Sequence, residues 1–271
     1  MIKIILFSLM FSNFTYADEP RNKYEFKADE AGAVDIRTGA ADINLSAAEG
    51  GIKIETTGEY DEKFCDFSAK PENKILKIYL RDKKNGWKLD IFGFSFGVSA
   101  EEAGAEIKTE KKWFYFEKGG KPCKAGLKIT APKNKKLLVK NGAGNVKITG
   151  FSAGASIDTG AGDLEFKNFS GPVRIDSGAG SVKGDLYSED LDLETGAGSV
   201  DLKWNSVPQK GKASFSSGAG SVVLSFPEAS KMAIIHKSGA GSFDSEFGND
   251  AKAEFRLEFK SGAGNLTISK F

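Results

Sequence analysis

From Leu137 onward, apolar residues recur in two short alternating runs, and the pair of runs is repeated seven times. In the first run Val139, Ile157, Ile175, Leu193, Phe215, His236 and Phe259 hold one position. Two residues earlier stand Leu137, Ala155, Val173, Leu191, Ala213, Ile234 and Leu257. In the second run Val146, Leu164, Val182, Val200, Val222, Phe243 and Leu266 are followed, two residues on, by Ile148, Phe166, Gly184, Leu202, Leu224, Ser245 and Ile268. Alternation with period two predicts β-strands that bury one face. Each copy therefore supplies two strands.

Between the two runs of every copy lies a Gly-Ala-Gly triplet. Its glycines are Gly142 and Gly144, Gly160 and Gly162, Gly178 and Gly180, Gly196 and Gly198, Gly218 and Gly220, Gly239 and Gly241, and Gly262 and Gly264. The first four triplets are spaced by 18 residues and the later ones by 22, 21 and 23, while a degenerate version, Thr38-Gly-Ala-Ala-Asp42, stands alone near the N-terminus. The apolar sets on the two sides of a triplet are seven positions apart. Seven is odd, so one straight strand would turn them to opposite faces. The triplet must turn the chain, and glycine, which reaches positive φ without steric cost, suits a corner or bulge that shifts the phase by one residue. The expected fold is all-β, a single-chain β-solenoid of seven stacked short-strand coils in which each coil completes the core of its neighbours. The residues bracketing the triplet are small and polar (Asn141, Thr159, Ser177 before it; Asn145, Asp163, Ser181 after it). Stacked, they form ladders that satisfy the backbone at the corner. Calcium-binding glycine-rich solenoids need a recurrent Asp, which only Asp163 and Asp42 supply here.

Composition sharpens this reading. There are 32 glycines in 271 residues, where usage near 7% would give roughly 19; the triplets hold nearly the whole excess. Glycine and proline lack the abundance or period of linker or collagen sequences. With 38 basic and 37 acidic residues, no global charge draws the chain to nucleic acid or to an acidic membrane. Residues 1–17, with Lys3, an apolar run from Ile4 to Phe11 and Thr15-Tyr16-Ala17, read as a secretory signal peptide. The run is too short for a membrane span. Export to the periplasm, the cell surface or the medium is expected, and there Cys65 and Cys123, the only two cysteines, are the one pair available for a disulfide. One histidine and two cysteines cannot form a four-ligand zinc site; no metal or cofactor is expected.

The repeat T/S-G-A-G-S/D/N-V/L-x-L resembles the T/S-G-S-G-D/S-V/I-x-V repeats of the bacterial "putative adhesin" domain, and Gly126-Leu-Lys-Ile-Thr-Ala-Pro132 followed by Leu137-Leu-Val-Lys-Asn-Gly142 is similar to that group's lead-in to its first repeat. The departure is consistent: Ala replaces Ser between the glycines. The resemblance, over roughly residues 30–271, implies a β-solenoid of exported proteins and no reaction. The chain divides into the signal peptide, an N-terminal strand and irregular β cap over 18–130, and the repeat solenoid over 131–271. In the irregular part Phe92, Phe94 and Phe96 alternate with small residues, which places three rings on one strand face, either packing over the first coil as its cap or exposed as a binding patch.

Three outward positions are candidates for chemistry. Asp158, Asp176 and Glu194 each lie two residues before a triplet in consecutive coils, so the register stacks them into a carboxylate ladder. Such a ladder is either a solvated face neutralised by Lys140, Arg174 and Lys183, or a cation- or sugar-binding face. Clustered carboxylates also serve glycoside-cleaving solenoids. His236, in an otherwise apolar position, reads as a partly buried structural residue. The chain stops directly after the last repeat, which predicts an open C-terminal edge available for self-association or for another envelope protein. Strands this short do not suit an outer-membrane barrel. The expected function is an exported envelope or secreted scaffold with adhesion-like binding to a glycan or an envelope protein and no catalysis. The alternative is a polysaccharide-acting enzyme using Asp158, Asp176 and Glu194.

Overall fold

A computed structural model describes residues 23–82, 88–91, 94–97, 106–108 and 123–271. The segment read as a signal peptide lies outside the described residues, as do Phe92 and the side chains of Phe94 and Phe96.

Two large sheets carry the molecule, and the chain passes from one to the other at every corner. The strands entering corners stack in the order Ala33–Ala40, Lys136–Ala143, Ala155–Ala161, Val173–Ala179, Asp190–Ala197, Gly211–Ala219, Phe255–Ala263 and Ala233–Ala240. Those leaving corners stack in the matching order Ile43–Ala47, Val146–Thr149, Leu164–Ser170, Val182–Tyr187, Val200–Trp204, Val222–Phe226, Leu266–Lys270 and Phe243–Ser245. All these pairings are parallel, as expected when each coil lies on the previous one. The register holds residue for residue: Ile157 faces Ile175, Asp158 faces Asp176, Thr159 faces Ser177, then Ala161 faces Ala179. The first glycine is skipped in the pairing, and the burial phase changes across the corner. Leu137, Val139 and Asn141 point inward before it, and Val146 and Ile148 after it.

The two glycines of a triplet are required for different reasons. Gly180 has φ +130° and a Cβ built on it falls against the carbonyl oxygen of Gly162. Gly178 is not in the left-handed region, but its Cβ would lie 2.5 Å from the carbonyl oxygen of Gly160. One glycine therefore answers a backbone conformation that L side chains rarely adopt and both answer a backbone approach that no side chain can share. Positive φ, the reason expected from sequence, accounts for only one of the two.

Three features of the stack correct the sequence reading. The degenerate triplet is not alone: Thr38 faces Asn141 and Ala40 faces Ala143, so there are eight stacked corners instead of seven. The C-terminal strand is not an edge, because Leu266–Lys270 lies between Val222–Phe226 and Phe243–Ser245. The copy around Ser238 is outermost instead, and the final copy is inserted beneath it. Hydrophobicity explains the inversion. The final copy offers Leu257, Phe259, Leu266 and Ile268, all essentially fully buried, whereas the corresponding positions of the other copy are Ile234, His236, Phe243 and Ser245. Each large apolar side chain buried is worth roughly 1.5–3 kcal/mol, so the poorer copy belongs at the end.

At the opposite end both sheets continue into the irregular region. Ile75–Asp82 adds in parallel to Ala33–Ala40, and Cys65–Glu72 pairs antiparallel outside it. In the other sheet Lys124–Ala131 adds in parallel to Ile43–Ala47, followed by antiparallel Ile52–Glu59 and Lys23–Phe26. A Cys65–Cys123 disulfide ties the start of an edge strand of one sheet to the lead-in of Lys124–Ala131 in the other, across a sequence separation of 58. Lys88–Ile91, Phe94–Gly97 and Glu106–Lys108 form a separate antiparallel sheet. Aromatic residues fill the core near the outermost copies, where Trp204 stacks on Phe226 at 4.5 Å and donates its Nε1–H to the Ser188 carbonyl at 3.0 Å.

Gly178→Ala and Gly180→Ala are each expected to lower unfolding free energy by more than about 1 kcal/mol, whereas exposed Ala179→Ser stays within about 0.5 kcal/mol of wild type; chemical denaturation measures all three. Replacing both cysteines by serine, which frees a long loop in the unfolded chain, is expected to cost about 2–4 kcal/mol, read as an equal loss on adding reductant to wild type.

Candidate functional site

Each corner has an inner and an outer row of polar side chains. The inner row is buried. The Thr38 hydroxyl donates to Asn141 Oδ1 at 2.6 Å, Asn141 Nδ2 donates to the carbonyls of Ala41 and Gly144 at 3.0 Å each, and the Thr159 hydroxyl donates to Ser177 Oγ at 3.3 Å. After the triplet a second ladder runs between coils. Asp42 accepts the Asn145 N–H at 2.8 Å, Asn145 accepts that of Asp163 at 3.0 Å, Asp163 accepts that of Ser181 at 2.8 Å, and Asn265 accepts that of Ser242 at 2.8 Å. These carboxylates and amides accept hydrogen bonds from the backbone of the neighbouring coil, and among the described residues no cluster of His, Cys, Asp or Glu is arranged to hold a metal ion.

The outer row, two residues before the first glycine, is the sequence-derived candidate. In stacking order it reads Arg37, Lys140, Asp158, Asp176, Glu194, Ser216, Lys260 and Lys237. Asp158, Asp176 and Glu194 are thus brought together, one strand spacing of about 4.8 Å apart, and all three are exposed. Lys140 Nζ lies 3.4 Å from Asp158 Oδ2. Arg174 pairs instead with Asp192, at 3.7 Å in the neighbouring outward row. Lys183 does not reach the ladder at all. The corner carries it into the other sheet, where it faces Glu165. There Glu165 accepts a 2.8 Å hydrogen bond from Lys147, which with the nearby lysine charges holds its carboxyl below the usual range.

Asp176, Glu194 and the two lysines beyond Ser216 line an open depression of about 1010 Å³, together with the first glycines Gly196, Gly218, Gly239 and Gly262 of the outer corners. His236 lies at its end, parallel to the rings of Phe259 (centroids 5.4 Å apart) and Phe243 (4.9 Å). It closes an in-register column formed with Phe215 and Phe259. The row has the same acidic and basic blocks in either order of its last two copies, which both carry lysine there; what was not read from the sequence is that the copy around Ser238 lies outermost. The cue was present: that copy alone has both a histidine and a serine in its apolar positions.

The profile of the Toastrack DUF4097 family matches residues 32–269. The chain belongs to this family. Toastrack is a β-solenoid-like fold, in keeping with the stacked parallel sheets described above. No curated protein matches the sequence. Among solved structures, a "putative cell adhesion protein" from Clostridium sporogenes is similar with 12% identity, covering 92% of this chain and 99% of that one, at a TM-score of 0.42. A "putative adhesin" from Bacteroides fragilis has 15% identity over 91% of this chain and 96% of that one, at 0.38. A "putative lipid binding protein" from Parabacteroides distasonis has 14% identity over 92% and 96%, at 0.28. Among the described residues of this Toastrack chain, no helix is long and apolar enough to cross a membrane.

Proposed function

We propose that the chain is an exported, non-catalytic binding scaffold of the bacterial envelope or its surroundings, adhesin-like in that a stiff stack displays an outward row of side chains to a partner. The single observation that carries this reading is the openness of the outer row. Asp158, Asp176 and Glu194 project from exposed positions on one sheet face, and the first is already paired with Lys140. A glycosidase needs two carboxyl groups held apart across a bound sugar, one of them kept protonated by a sheltered environment. A solvated ladder on one strand face offers neither. Repeating charges at fixed spacing suit multivalent contact with a polymer or a protein surface. The leader-like residues 1–17, the disulfide and the likeness of the Gly-Ala-Gly repeats to adhesin-domain repeats support export and envelope placement in this reading.

A glycan array screened for both binding and cleavage tests it, with the Asp158→Ala, Asp176→Ala, Glu194→Ala triple variant alongside. Binding without turnover, weakened in the triple variant, is the expected result. Cleavage that the triple variant abolishes would establish the enzyme in place of the scaffold.

A further inference from the structure

We propose that the open edge formed by Ala233–Ala240 and Phe243–Ser245 is a docking site for an extended acidic strand of another polypeptide, added parallel to Ala233–Ala240 as the next rung of the stack. The proposal deepens the scaffold reading by giving it a polypeptide partner.

Part of the backbone of this edge is open to such an addition. In inner coils the residue five before the first glycine donates its N–H to the next coil: Leu137 to Gly154 O at 3.1 Å and Ala155 to Pro172 O at 2.9 Å. The counterpart here is Ile234, whose N–H is capped by the Asn249 side chain at 2.9 Å, and the Asp250 N–H bonds the Met232 carbonyl at 3.1 Å, so residues 249–250 cover the start of this edge and an added strand begins beyond them. In a parallel ladder alternate residues direct both backbone groups to the same side, so His236 and Ser238 face the open side together with Ile234. No described strand pairs there. Ile235 and Phe243, 37% and 45% exposed, lie on these two edge strands.

The far end of the stack lacks these features. Its edge strand Cys65–Glu72 contains Pro71, which has no N–H to offer, and carries the ion pairs Asp66–Arg81 at 3.0 Å and Glu72–Lys77 at 2.7 Å. Charged side chains and proline are how sheet edges are blunted. Among the described residues, the far edge of this sheet therefore offers the Ala233–Ala240 strand of another copy no matching partner.

Charge selects the occupant. The outer row ends in Lys260 and Lys237, and neither has an ion-pair partner among the described residues. Inside the stack, Lys140 in the same row is answered by Asp158 on the next coil. A strand laid on Ala233–Ala240 in the same register places its own outward residue beside Lys237, where a carboxylate fits. A second copy paired antiparallel through the same edge would instead bring two lysine rows together, and like charges across a strand pair are unfavourable. The incoming strand also needs glycine where it passes Gly239, because the corners leave no room for a Cβ.

A synthetic peptide of residues 173–186, which carries Asp176 in that outward position and its own Gly-Ala-Gly corner, is the probe. Added to the full folded chain, it is expected to bind saturably and to protect the amides of His236 and Ser238 from hydrogen exchange. The D176K peptide is expected to bind about fivefold more weakly or worse. Lys237→Glu, an exposed change whose folding circular dichroism checks, is expected to weaken the native peptide similarly and to restore the D176K peptide. The proposal is overturned by absence of binding up to about 1 mM, by equal binding of both peptides, by protection at other residues, or by light scattering that shows a dimer with the amides of His236 and Ser238 already protected. The glycan array with its triple variant reads the carboxylates of the outer row and the peptide reads the edge strand and Lys237, so either result stands without the other.

Discussion

Consecutive coils approach one another at the corner so closely that no Cβ can lie between them, and that contact governs the rest of the molecule. At Gly178 the obstacle is the neighbouring Gly160 carbonyl, and at Gly180 it is joined by a positive φ. The corner of each coil stacks directly on the corner of its neighbour. It therefore fixes which residues face each other, keeps Asp158 against Asp176 and Ile157 against Ile175, and sends the chain into the second sheet one residue out of phase. Glycine, usually a source of looseness, here excludes every register but one.

Polar chemistry is subordinate to that stacking. The Asp42, Asn145 and Asp163 side chains cap the backbone of the following coil, which gives the small polar residues after the triplets a structural task. The outward row takes no part in these corner bonds, and the proposed scaffold would use it for recognition. Its charges lie on a stiff, open surface, a geometry suited to contact over length and unsuited to enclosing a reacting group.

Much of this was legible in the sequence because a strict repeat converts position into geometry. The period-two apolar runs, their odd separation across the triplet and the carboxylate ladder all follow from alignment of the copies. What escaped was the order of the last two coils, since periodicity assumes that neighbours in sequence are neighbours in space. Residues 227–232 and 246–254 connect the last copies outside the strands and permit the final coil to slip beneath the one before it. His236 and Ser245 mark the copy that hydrophobicity displaces outward. The Thr38 corner escaped for a related reason: Ala41 stands in place of its second glycine, and its stacking partner at Asn141 lies 103 residues away.

Cross-linking through engineered cysteine pairs tests the rung order most directly. Ser216 faces Lys260, with Lys237 one rung further out. Adjacent rungs are about 4.8 Å apart and second neighbours about 9.6 Å, and a disulfide bridges Cα atoms only to about 7 Å. Under mild oxidation the Ser216→Cys, Lys260→Cys pair should close readily while the Ser216→Cys, Lys237→Cys pair stays reduced, as read by mass spectrometry of proteolysed protein. Closure of the second pair in preference to the first would show coils stacked in sequence order and contradict the account.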